Sequence, residues 1–341
     1  MPSFSTGVVA RVLSERRGLQ RVEVDGSPAY VLTELVGPVE VGGEVVVNTT
    51  AVDLGLGTGG WHVVHWNLSR RQWSQPGPGA VMKLRYTSLQ ADVGAAEEAP
   101  GYAPPPAGLA GTPVVACALH SQVGPVAATL AASRPGSRLA YVMTDGASLP
   151  LVLSDLVADL CAAGLLTTTV TSGQAFGGDH EAVNLHSALE VAVAAGADVA
   201  VVAAGPGGVG TRTRLGFSGL EVASVIDAAA LLGGRPVVAV RYSGADARAR
   251  HRGVSDHTAA SLWAAARRAT VAVPRGEAPT VQPIAAHHAV VEVDVPDVAA
   301  LLAEHGVEVE TMGRSTADDP DFFRWAAAAG VAAAQLAASG G

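Results

Sequence analysis

A chain of 341 residues is long enough for one large domain or two ordinary ones. Hydrophobic residues make up 49% and charged residues 16%, which excludes a globally disordered chain and supports a substantial buried core. Acidic residues outnumber basic ones 31 to 22 with no basic run, so no nucleic-acid partner and no binding to an anionic membrane surface are expected.

Residues 1–91 predict a small all-β, barrel-like domain. The segments TGVVARVLSE, QRVEVDG, AYVLTEL, EVVVNTT and GWHVVHWNL are rich in β-branched residues and separated by Gly, Pro and Asp. Five short strands in so little chain suggest a closed sheet. Residues 92–112, DVGAAEEAPGYAPPPAGLAGT, have the Pro/Ala/Gly content of a linker or long surface loop.

From 113 to 341 the rhythm is that of an α/β domain. Apolar runs alternate with helical patterns: PVVACAL, LAYVMT, LLTTTVT, DVAVVAA, PVVAVR, TVAVP, AVVEVDV and VEVETM. Leu149, Leu153, Leu156, Val157 and Leu160 form one helical stripe, with Pro150 suited to its first turn. Ala182, Leu185, Leu189 and Val193 form another. Runs buried on both faces and joined by helices predict a doubly wound, mostly parallel sheet.

Several chemistries are excluded by what is missing. Lys83 is the only lysine, which disfavours both Walker-type ATP binding and a pyridoxal phosphate Schiff base. Cys117 and Cys161 are too few for a zinc cluster and read as buried, inert thiols. The opening MPSFSTGVVARVLSER lacks signal-peptide character, and no apolar run reaches about 18 residues, so a cytoplasmic protein without a membrane span is expected.

Parallel sheets bind ligands beyond the carboxyl ends of their strands, where helix N-termini offer free amides. Unusual polar residues follow five successive predicted strands: His120 and Ser121; Thr144 and Asp145; Asp179, His180 and Glu181; the glycine-rich AAGPGGVGTRTRLGFSG; and a loop holding Arg241, Asp246, Arg248, Arg250, His251, Arg252, Asp256 and His257. Singly, these have plain structural uses. Asp145 suits a turn, Asp179 suits a helix cap, and the arginines suit a surface network.

Gly205, Gly207 and Gly210 spell GxGxxG, but the next helical stripe begins only near Leu220, so a dinucleotide turn is not expected. A longer loop of Gly205, Gly207, Gly208, Gly210, Thr211, Arg212, Thr213 and Arg214 suits a small anion better, through bare amides, hydroxyls and guanidinium forks. GFSG at 216–219 lacks the spacing of a nucleophile elbow. His251 and His257 lie six apart, so only a loop can bring them together. With Asp179, Glu181, Asp246 and Asp256 they make a candidate set for a divalent metal, or they act as acid and base without one.

The motifs TDGASLP, AFGGDHEAVN, GPGGVGTRTRLGFSG, RHRGVSDHT and TMGR…DDPDFF together resemble a bacterial domain family of unknown function whose members are hypothetical proteins. The resemblance runs over nearly the whole chain and implies no activity. It carries one departure: the family pattern has two adjacent histidines where this chain has Asp256-His257.

The expectation is an enzyme acting on a small anionic, phosphorylated metabolite by hydrolysis or phosphoryl transfer. Asp145, Asp179, Glu181, His251 and His257 would supply acid–base or metal groups; His120, Ser121, residues 205–213 and Arg241 would bind. A non-catalytic ligand sensor is the alternative. The Ala-rich final segment with Phe322, Phe323 and Trp325 either closes the core or associates copies into a homo-oligomer.

Overall fold

The computed structural model describes residues 2–56, 59–79 and 81–339. The chain divides into two units, Met1–Val93 and Gly94–Gly341.

The first unit is a closed five-stranded barrel. Its strands are β1 (Phe4–Arg16), β2 (Leu19–Val24), β3 (Ser27–Leu32), β4 (Glu44–Asn48) and β5 (His62–Asn67), in the order β1-β2-β3-β5-β4 with β4 returning to β1. Alternation sets the inside: Val22 and Val24 of β2, Ala29 and Val31 of β3, Val45 and Val47 of β4 and Val64 of β5 fill a core dominated by valine. The β2–β3 turn, Asp25-Gly26, has φ of +47° and +83°, the left-handed pair that a tight hairpin requires. Two β-bulges in the β1–β2 pairing, near Val9–Arg11 and Val12–Ser14, bend the long first strand around the barrel. Helical turns α1 (Thr33–Val36) and α2 (Thr50–Asp53) sit in the connections around β4. A short ribbon of β6 (Val81–Lys83) and β7 (Ala91–Val93) ends the unit.

The second unit carries an eight-stranded, all-parallel sheet. Its strands are β8 (Pro113–Cys117), β9 (Leu139–Thr144), β10 (Thr168–Thr171), β11 (His180–Glu181), β12 (Val199–Ala204), β13 (Arg235–Ala239), β16 (Thr270–Pro274) and β17 (Ala289–Val293). The order across the sheet is β11-β10-β9-β12-β8-β13-β16-β17. A two-residue ribbon, β14 (Tyr242–Ser243) with β15 (Gly253–Val254), interrupts the connection after β13.

Successive residues of β8 feed two separate cores. Val115 and Cys117 pack with α3 (Val123–Ser133), α4 (Asp155–Ala162), α9 (Val298–Glu304) and α10 (Pro320–Ala338). Val114 and Ala116 pack with α5 (Leu185–Ala194), α6 (Val222–Leu231), α7 (Asp256–Ala264) and α8 (Ala278–Ala285). Burial on both faces explains why these strands read as unbroken apolar runs.

Five sequence expectations need correction. Cys161, on α4, is exposed rather than buried, whereas Cys117 is buried. Residues 94–112 are no free linker: the Leu109 side chain is in the core, and its amide donates to the Leu232 carbonyl at 2.9 Å. VEVETM forms no strand; Val307 and Val309 drop into the core from an irregular segment. Pro150 does not open α4; it bridges Phe176, and Ser154 caps the helix by accepting from the Val157 amide. Asn184, not Asp179, caps α5, accepting from the amides of His186 and Ser187. Phe322 and Phe323 are both fully buried, which closes the core with the residues offered as an association face.

Candidate functional site

Because all eight strands are parallel, the loops after β8, β9, β10, β12 and β13 leave from one edge of the sheet. The chain crosses to one face after β8 and β9 and to the other after β12, which lies between them. A crevice at such a reversal is where an open parallel sheet admits a ligand.

At this reversal His120 acts as a tether. Its Nδ1 lies 3.2 Å from the Ala204 carbonyl and 3.1 Å from the Tyr141 hydroxyl, and its Nε2 lies 2.7 Å from Ser154 Oγ. These partners fasten the end of β8, the middle of β9, the end of β12 and the start of α4 to one ring. Burial pulls the imidazole pKa down to about 4, so it is neutral near pH 7. Ser121 follows in the same single turn of helix.

Beside it stands a carboxylate pair that the sequence showed only in part. Asp145, exposed, accepts from the Gln174 amide at 2.8 Å. Glu221, four residues past Phe217, accepts from Thr144 Oγ1 at 2.8 Å. Burial raises the Glu221 pKa above the ordinary carboxylate range; the Thr144 hydrogen bond opposes the shift and the Asp145 charge adds to it.

Asp179 and Glu181 belong elsewhere. Asp179 Oδ2 accepts from the amide and hydroxyl of Thr169, both at 2.9 Å. Glu181 accepts from Thr171 Oγ1 at 2.7 Å and the Gly177 amide at 2.6 Å. Both carboxylates hold the β10–β11 turn at the sheet margin. β11 is five strand positions from β13, which at normal spacing is roughly 24 Å. Among the described residues no three His, Cys, Asp or Glu side chains form a set able to hold a metal ion.

The loop after β13 makes a different arrangement. Asp246 is buried at the centre of a guanidinium cluster. Arg248 grips both its oxygens at 2.9 and 2.8 Å, with Arg314 at 3.5 Å and Arg241 at 3.7 Å. The Arg248 fork holds this carboxyl well below its usual pKa range, so it is an anchor rather than an acid. Arg314 also meets Asp319 at 3.1 Å. Burial, and then Arg248, lower the Arg241 pKa to about 10, which leaves it charged at pH 7.

His251 and His257 meet edge to face, ring centroids 4.6 Å apart, although they are six residues apart in the chain. The geometry brings them together because His251 ends a helical turn (Ala249–His251) while His257 opens α7. Arg250 Nε donates to His251 Nε2 at 3.1 Å, so Nδ1 carries the proton and donates to Ser255 Oγ at 2.7 Å. His257 stacks on Phe217, centroids 3.7 Å apart, and its Nδ1 faces Arg241 at 3.4 Å. Burial first, and then Arg241, lower both imidazoles, His251 to about 3 and His257 to about 4. Both rings are therefore neutral near pH 7. Asp256 is exposed in the first turn of α7, where its charge suits the helix terminus.

The glycine-rich loop folds back over this cluster as a hairpin. Thr211 donates its amide to the Gly216 carbonyl at 2.6 Å, and Ser218 donates to Val209 at 2.9 Å. Arg250 Nη1 reaches the Thr211 carbonyl at 3.4 Å. Gly205 is glycine for space, since a Cβ there would meet the Ser148 carbonyl at 2.5 Å. Gly207 has φ +91°, which a side chain rarely adopts, and Gly210 brings its backbone against Phe217 and His257. Gly207 and Gly208 are exposed, and their amides donate to no described residue. Thr211 and Thr213 share a 2.8 Å hydrogen bond inside the hairpin. Arg212 is exposed, and Arg214 lies over Trp263, 3.8 Å from its centroid. Two cavities are lined by other residues, one of about 390 Å³ by residues of the barrel and one of about 220 Å³ by Gly136, Leu139 and Thr167, at the start of β9.

Sequence reasoning missed Phe217, Ser255, Arg314 and Glu221, and read Arg250 only as part of a surface network. Their clue was position: Phe217 sits in the glycine-rich loop and Glu221 two residues past its end, Arg250 and Ser255 in the Arg/His loop and Arg314 in the TMGR motif, but without a metal-like or nucleophile-like spacing. The family model described as "Protein of unknown function (DUF3866)" matches residues 28–330, and the chain belongs to that family. No curated protein and no solved structure matches it.

Proposed function

We propose that the second unit binds a small phosphorylated metabolite between the 207–214 hairpin and the 241–257 loop, and acts on it by hydrolysis or phosphoryl transfer. The observation that carries this reading is Arg250. Its guanidinium donates to an imidazole nitrogen and a backbone carbonyl rather than to a carboxylate, so its charge is available to an anion. Arg241, Arg248, Arg250 and Arg314 stand against only Asp246 and Asp319 in the contacts of this cluster, which leaves net positive charge. The open amides of Gly207 and Gly208 and the Nε2–H of neutral His257 add donors without adding charge. Glu221 follows Phe217 along a 3₁₀ turn, so its backbone is roughly 8 Å away. Burial holds its pKa above the ordinary carboxylate range, which makes it the candidate proton acceptor or donor of the site.

The test is a panel of phosphorylated metabolites, each with Mg²⁺, Mn²⁺ or Zn²⁺, read by calorimetry and by release of phosphate. At least one compound binds, and Arg250→Ala weakens it tenfold or more, as loss of a charge-assisted hydrogen bond requires. No binding across the panel overturns the proposal. Binding without turnover selects the ligand-sensor reading. That second reading has its own support, because Asp179, Glu181 and Asp246 are all occupied by structural hydrogen bonds.

A further inference from the structure

The acidity that argues against a nucleic-acid partner is unevenly distributed. Residues 1–93 carry eight basic and eight acidic side chains, whereas the rest carries 14 against 23. The barrel is a neutral module in an acidic chain. The β1–β2 hairpin alone holds Arg11, Arg16, Arg17 and Arg21, with Arg17 exposed at its turn and Arg11 paired to Glu23.

On the outer surface of β2 and β3, Tyr30 stacks on Trp61 with centroids 4.7 Å apart and planes within 16°. The Arg21 guanidinium carbon lies 5.8 Å from the Tyr30 centroid and 5.9 Å from that of Trp61. All three side chains are half-buried, while their strand neighbours Gln20, Val22, Ala29 and Val31 point inward. Trp61 is also one wall of the 390 Å³ cavity, together with Ala51, Leu54, Leu56, Val63 and His65. Leu54 and Leu56 are 64% and 60% exposed at its mouth, an unusual state for leucines that flank a tryptophan.

We propose that the barrel binds a short single strand of nucleic acid across β2, β3 and the cavity beside Leu54, Leu56 and Trp61. One base would stack on the Tyr30–Trp61 pair, its neighbour would enter the apolar cavity, and the phosphates would track the arginines of the β1–β2 hairpin. Each part has a physical reason. Every base has a flat π-face that aromatic rings accept irrespective of sequence, and guanidinium groups meet both rings and phosphates. Closed five-stranded barrels of this strand order present the β2–β3 surface and the β1–β2 and β4–β5 loops to single strands and oligosaccharides. The arginines favour the anionic strand over a neutral sugar chain.

The test uses the full chain and fluorescein-labelled twelve-nucleotide oligo(dT) and oligo(U), read by anisotropy and by quenching of tryptophan fluorescence. Both strands bind, affinity falls as salt rises, and a matching duplex binds at least tenfold more weakly. Trp61→Ala weakens binding five-fold or more with an unchanged melting temperature, and Trp61→Phe restores most of it. Should Trp61→Ala lower the melting temperature, Arg17→Glu replaces it as the test and weakens binding. No anisotropy change at 100 μM protein overturns the proposal, as does equal binding of duplex, displacement by neutral oligosaccharides, or indifference to both Trp61→Ala and Arg17→Glu.

Discussion

Two polar loops leave the same edge of the parallel sheet and meet opposite ends. The β10–β11 turn spends its acids on its own backbone: Asp179 on Thr169, and Glu181 on Thr171 and Gly177. The 241–257 loop spends Asp246 on arginines, and that leaves imidazoles and a guanidinium facing a glycine-rich hairpin. An acid followed by free amides in a tight turn is satisfied locally. An acid surrounded by long cations instead organises distant residues. Chemistry-bearing residue types are therefore no guide to a site until their hydrogen-bond partners are known.

That contrast can be broken most forcefully at Asp246. Asp246→Ala leaves Arg241 and Arg314 partly buried without their carboxylate and should cost about 3–5 kcal/mol in urea denaturation. A loss below about 1 kcal/mol would show that the cluster holds nothing together. Acidification is the next largest effect. His251 and His257 have folded pKa values of about 3 and 4, below the free imidazole value. The unfolded chain therefore takes up protons first as pH falls. Stability is full above about pH 6.5 and declines toward pH 4, so Tm should drop by roughly 5 °C or more between pH 7 and pH 5. His257→Gln should flatten this decline, and an unchanged slope would remove His257 as its source.

Asp179→Ala should cost less, about 1–2 kcal/mol, because it strands the amide and hydroxyl of Thr169 but no charge. Anion binding at the other loop should be untouched, which calorimetry with the ligand found for the wild type would check. Smallest in stability is Arg250→Ala, within about 0.5 kcal/mol because the side chain is partly exposed. Its effect belongs to binding; a variant that binds as the wild type does would separate Arg250 from the anion.

The architecture was legible because composition and apolar spacing change sharply between the two parts of the chain. Short β-branched segments parted by Gly, Pro and Asp predicted the barrel, and apolar runs such as DVAVVAA predicted strands covered on both faces. The misses share a cause. VEVETM alternates like a strand, yet Thr311 and Arg314 close a turn on each other and no neighbouring strand pairs with it. APPPAGLAG has a linker's composition, yet Leu109 is fully buried and the segment pairs with the turn at Leu232–Gly233. Within the site, His251, His257, Arg241 and the glycine loop were legible as a group and are brought together. Asp179 and Glu181 were not separable from them, because sequence order along the rim does not say how far apart two loops lie. Glu221 was missed because its raised pKa comes from burial and Asp145, neither of which is local in sequence.

Helix α10 buries twelve of its nineteen residues. Gly330 lets it lie directly against α3, since a Cβ there would strike Thr129 Oγ1 and the Val126 carbonyl. A chain that stops at Asp319 carries all eight strands of the sheet but not the lid over β8, β13 and β16. In such a chain a broad oily face stands open to water. Premature stop codons in this last stretch should therefore yield inclusion bodies rather than shortened soluble protein.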